Sequence, residues 1–95
     1  METIDLRNRA VDAQQMAKDN PKTFEAPKEV DLNFLADGAY VKICVDRERF
    51  WTIIKEIEND VIVAEINNHL VFSDEHGLYD GDIVMFEKRH IYSIY

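Results

Sequence analysis

The chain has 95 residues, one cysteine and a formal net charge of −8, from 19 acidic and 11 basic residues. That length makes one domain, residues 1–95, with room for one small core. The lone Cys44 excludes an internal disulfide, and the surplus of negative charge opposes nucleic-acid backbones and anionic membranes as partners.

In chain order, the first element reads as a helix over residues 1–20. Leu6, Ala10, Ala13 and Ala17 share one helical face, Thr3 stands as the N-cap and Asn20-Pro21 as the stop. Residues 21–38 read as a connector pinned by Phe24, Leu32, Phe34 and Leu35, closing on the turn signal Asp37-Gly38. The sheet is expected over residues 39–95. Val41, Ile43 and Val45 alternate with Tyr40, Lys42 and Cys44, the period of a half-buried strand. The charged run Asp46-Arg47-Glu48-Arg49 reads as a hairpin turn. Phe50–Ile57 is a strand with apolar residues on both faces, Glu58-Asn59-Asp60 a second turn and Val61–Ile66 a third strand. After the irregular stretch Asn67–Asp82, with Leu70–Phe72 as a short strand or pinned loop, Ile83–Phe86 and Ile91–Tyr95 supply a fourth and a fifth strand. The expected fold class is therefore α+β: an N-terminal helix followed by a small, five-stranded, mostly antiparallel SH3-like barrel or curled sheet.

Tyr40–Cys44, Glu48 and Arg49-Phe50-Trp51, Asn67-Asn68 and Gly81-Asp82-Ile83-Val84-Met85-Phe86 resemble the YegJ-like family of small uncharacterised bacterial proteins. Members carry an E-x-x-W strand, matched by Glu48 and Trp51, and a late G-D-x-V-x-F strand, matched by Gly81–Phe86. The resemblance covers residues 38–95 and brings no activity with it. A proline that often follows the asparagine in the family has no counterpart here, where His69 stands two places after Asn67.

Four sets of residues are candidates for function. Tyr40, Trp51, Tyr79, Tyr92 and Tyr95, rimmed by Arg47 and Arg49, suit a groove for a protein segment; the alternative for Trp51 is a core position. His69, Asp74, His76 and Asp80, in the loop that runs to Asp82, are donors of the types that hold divalent metals, but their spacing matches no ligand pattern and a solvated acidic loop is the plainer reading. Cys44 is a nucleophile only if a base or a positive charge lies beside it, and Lys88-Arg89-His90 is the one basic run in the late part of the chain. With no secretory signal and no membrane-spanning apolar run, the expectation is a cytoplasmic, non-enzymatic protein-interaction domain without a cofactor. It is a monomer, or a homodimer joined through the Ile91–Tyr95 edge. Two alternatives stay open: an acidic regulator or inhibitor, including a nucleic-acid mimic, of a basic partner, and a small metal-dependent enzyme built on the His69–Asp82 loop.

Overall fold

The structure, a computed structural model, describes residues 2–95. Its elements in chain order are β1 (Thr3–Asp5), α1 (Ala13–Asp19), α2 (Glu29–Asn33), β2 (Tyr40–Val45), β3 (Glu48–Glu58), β4 (Val61–Ile66), α3 (Ser73–His76), β5 (Ile83–Glu87), a 3-10 turn (Lys88–His90) and β6 (Ser93–Ile94). They form a six-stranded sheet in the order β1-β5-β4-β3-β2-β6. Neighbours are antiparallel except β1 and β5, which run parallel with Thr3 opposite Ile83.

This corrects the expected five-stranded, mostly antiparallel barrel or curled sheet behind an N-terminal helix. The sheet is mixed, has six strands, and begins with a strand where the helix was placed. The spacing of Leu6, Ala10 and Ala13 imitated a helical stripe for a definite reason. The Ala10 N–H donates to the Leu6 carbonyl at 2.8 Å, so these residues make one isolated turn rather than a helix. Leu6 and Ala13 are both buried, but Leu6 joins the main core and Ala13 packs with Cys44 and Tyr92 on the other side of the sheet. The helix starts at Asp12, whose carboxylate accepts the Gln15 N–H at 3.0 Å and so caps it. Leu70–Phe72 is a loop that leads into α3, and the connector over residues 21–38 contains α2.

The segment that follows β1 determines how the sheet closes. The Leu6 N–H donates to Met85 O in β5 at 2.8 Å, and the Val11 N–H donates to Cys44 O in β2 at 2.9 Å. One short segment thus bonds to strands that stand three places apart in the sheet order, which requires the sheet to bend around the core. That core is predominantly apolar: Leu6, Val41, Ile43, Phe50, Ile62, Ile66 and Phe86 are fully enclosed. The β2–β3 hairpin turns on only two residues, Asp46 and Arg47, at φ 47° and 71°. Both lie in the left-handed region that a tight hairpin of this twist demands. Glu48 and Arg49, expected in the turn, are the first residues of β3.

Candidate binding surface

Strand alternation sends Phe50, Thr52 and Ile54 of β3 into the core and Arg49, Trp51 and Ile53 to the outer face. On that outer face the β2–β3 register sets Tyr40 opposite Ile53, Lys42 opposite Trp51 and Cys44 opposite Arg49. β6 lies on the other side of β2, where the Tyr95 N–H donates to Tyr40 O at 3.0 Å and brings the last tyrosine into the same patch. The Tyr95 ring meets Trp51 edge-on at 5.9 Å and 90°, and lies 6.0 Å from the Tyr40 ring. Such pairs contribute about 0.5–1.5 kcal/mol each beyond the area they bury. The Lys42 ammonium stands 4.8 Å from the indole centroid, a cation–π contact of about 0.5–1 kcal/mol at an exposed site. The Asn67 amide reaches the Tyr40 hydroxyl at 3.4 Å. Tyr40, Trp51, Asn67 and Tyr95 line a cavity of about 540 Å³. Trp51 is half-buried, while Tyr40 and Tyr95 are 40% and 93% exposed. This is an aromatic platform fixed by strand register and left open to solvent.

Of the residues named from the sequence, Tyr40, Trp51 and Tyr95 meet in this platform, whereas Tyr92 packs with Ala13 and Cys44 and Tyr79 lies apart in the loop after β4. Arg49 lies on the same face one strand period away, with its guanidinium 5.2 Å over Tyr92. Arg47 sits at the hairpin tip, 3.7 Å from Glu75 in α3. Lys42 and Asn67 join the patch without having been picked out. Lys42 was legible from its alternation with Val41 and Ile43. Asn67 arrives through the pairing of β4 with β3, where its N–H donates to Trp51 O at 3.0 Å, which no local pattern reports.

The His69–Asp82 loop is organised differently from a metal centre. His76 is enclosed, and its Nε2 lies 2.9 Å from Glu48 Oε1 while its Nδ1 accepts the Leu78 N–H at 3.1 Å. Because Nδ1 is an acceptor, the proton sits on Nε2 and the ring is neutral. Both nitrogens are therefore committed. The Asp80 carboxylate accepts the Asn68 N–H at 3.2 Å and Asp82 accepts the Tyr79 N–H at 2.9 Å, as turn-forming aspartates do. Among the described residues no group of three or more His, Cys, Asp or Glu side chains is placed to hold a metal ion, so His69, Asp74, His76 and Asp80 do not converge.

The residue that sequence reasoning overlooked here is Glu48. It lies on the core side of β3, in phase with Phe50, and a carboxylate on a buried face signals a dedicated partner. Glu48 accepts from Val71 N–H at 2.7 Å, Phe72 N–H at 2.8 Å and His76. Burial alone would push this carboxyl up; the two backbone donors and the imidazole outweigh it and hold the group below the usual glutamate range. Glu48 thus clasps the loop to the end of the sheet.

The remaining candidates are also accounted for locally. Arg89 pairs with Asp12 at 2.9 Å and Glu87 at 2.7 Å, tying the 3-10 turn to the cap of α1. His90 is enclosed, with Nδ1 accepting the Glu87 N–H at 2.9 Å and Nε2 without a partner among the described residues. The Lys88–His90 run is therefore not a free basic patch. Cys44 is buried against Ala13 and Tyr92. Among the described residues no helix is long and apolar enough to cross a membrane. No protein-family model, curated protein or solved structure matches the chain.

Proposed function

We propose that the protein is a cytoplasmic, non-enzymatic interaction domain that binds a segment of a partner protein on the platform formed by Tyr40, Trp51 and Tyr95, with Arg49 along the same face. The observation that carries this reading is the exposure of two tyrosines on either side of a half-buried tryptophan, all three oriented by sheet register. Large amphipathic rings held rigid at a surface lose little entropy on binding, which is why they dominate interface energetics. The test is affinity capture from a native extract with the wild type, Trp51→Ala and Tyr95→Ala in parallel. One protein enriched by the wild type and lost with both variants is the expected result. A captured protein that survives both changes would remove the platform from the interface.

A second reading, an acidic regulator of a basic partner, is favoured by the distribution of charge. Arg7, Arg9, Arg47, Lys55 and Arg89 are each paired with a carboxylate, and the 19 acidic against 11 basic residues leave a net charge of −8 for a basic partner to neutralise. Capture that weakens steeply between low and physiological salt supports it; capture indifferent to salt refutes it.

A further inference from the structure

The sheet ends at β6, and no strand covers the far side of Ser93–Ile94 among the described residues. A groove of about 810 Å³ runs along that edge. One wall is Tyr92–Ile94; the other is the connector, through Ala26, Pro27 and Phe34–Asp37. Phe34 is 82% exposed beside it, although Leu32 and Leu35, its close neighbours in sequence, pack on the core. Phe34 is the most exposed phenylalanine of the chain and stands at the lip of the groove, where an apolar partner side chain would cover it. Every charged residue that lines the groove is acidic: Glu25, Asp31 and Asp37. None of these carboxylates has a hydrogen-bonding or ion-pairing partner among the described residues.

The geometry points to a second interaction site, in which an extended segment of a partner protein, alternating basic and apolar residues, adds as a strand to β6 and lies in this groove. An uncovered strand edge calls for main-chain donors and acceptors in extended form. Strand alternation then sends one set of side chains toward Phe34, Leu35 and Pro27 and the other toward the three carboxylates. Charge decides the occupant. A second copy of the chain would meet the groove through the same patch on both subunits, setting Glu25, Asp31 and Asp37 against themselves in a protein that already carries −8. A cationic segment neutralises them instead. The groove is lined by none of Tyr40, Trp51 or Tyr95, so the inference stands apart from the aromatic platform.

The probe is a ten-residue peptide alternating lysine and valine, titrated into isotope-labelled protein and followed by amide chemical shifts. The expected result is saturable binding with the largest shifts at Ser93, Ile94, Leu35 and Asp37. Binding should weaken at least tenfold in the triple variant Glu25→Gln, Asp31→Asn, Asp37→Asn, whose three positions are surface-exposed. The same peptide with alternate backbone amides methylated keeps its charge but cannot pair as a strand, and is also expected to bind at least tenfold more weakly. Equal binding of the methylated peptide would reduce the effect to bulk charge and overturn strand addition. Shifts scattered away from the groove, unchanged binding by the triple variant, or no binding would overturn the site. A concentration-dependent dimer that the peptide displaces would overturn the occupant in favour of a second copy. Trp51→Ala is expected to bind the peptide like the wild type, which separates failure of this site from failure of the platform.

Discussion

Replacing Glu48 tests the account of the loop most directly. Three donors converge on this carboxylate, and they differ in what they can do without it. Val71 is exposed and Phe72 lies near the surface, so water reaches their amides once the carboxylate is gone. Each lost bond then costs about 0.5–1.5 kcal/mol. The His76 side chain is fully enclosed, and its orphaned Nε2–H costs a further ~1–3 kcal/mol. The sum for Glu48→Ala is about 2–6 kcal/mol, a range that includes the cost of removing one member of other buried polar pairs. Total stability for a chain this size is roughly 5–14 kcal/mol. Urea unfolding should show a midpoint lower by about 2 M at unchanged slope. Amide exchange should show Val71 and Phe72 losing protection before the strands do. Glu48→Gln keeps the shape but offers one acceptor where two oxygens stood, and is expected to cost about 1–2 kcal/mol. A loss below about 1 kcal/mol for Glu48→Ala, or undiminished protection at Val71 and Phe72, would refute the clasp.

His90 is held below its ordinary pKa of 6.5, first by burial and then by the nearby Arg89 charge. The unfolded chain therefore binds a proton that the folded one refuses, and stability is expected to fall as pH drops below 6.5, with a slope of up to about 1.4 kcal/mol per pH unit; thermal melts of His90→Gln should be flatter across that window. Glu48, also depressed, contributes in a separate window: its stabilisation is complete above 4.5 and is lost as pH falls through its lowered value, so Glu48→Gln should flatten only the acid limb. Asp46→Asn with Arg47→Gly places residues that accept positive φ in the hairpin and should stabilise by about 1 kcal/mol in urea melts; a loss instead would mean that the Arg47–Glu75 contact outweighs the backbone strain. Asp12→Ala removes both the α1 cap and the Arg89 partner and should cost about 1–2 kcal/mol, read as a lower midpoint with early loss of helical circular dichroism.

The parts of this fold that were legible are those whose cause is local. β2 to β5 declare themselves because one buried face imposes a period of two over five residues or more. β1 has only three residues and takes its conformation from β5, so nothing within Thr3-Ile4-Asp5 distinguishes it from a helix start. The true cap, Asp12 with Gln15 three residues on, was present in the sequence and competed with the plausible Thr3. Tyr40 was legible as a surface aromatic because it alternates with core residues, whereas Trp51 sits in a strand apolar on both faces and read equally as a core residue. Arg47 was read as a turn residue and is one, but the hairpin tip carries it toward Glu75 rather than to the rim of the platform. The Glu48–His76 pair spans 28 positions, and the metal-like composition of the loop concealed a histidine whose task is to hold a turn.

The pairing of Thr3 with Ile83 has a consequence for the order in which the protein forms during synthesis. β2, β3 and β4 are a local meander and can assemble as soon as residue 66 leaves the ribosome. β1 has no partner until β5 emerges, and α1 waits longer still for Arg89 to reach Asp12 across 77 positions. Loop closure over such separations is slow compared with hairpin formation. A nascent chain therefore passes through a stage in which a three-stranded meander presents the bare edge of β4 and an unpaired amino-terminal segment. That stage, rather than the finished domain, is where mispairing with a neighbouring chain threatens, and its lifetime is set by how fast the ribosome delivers the last third of the sequence.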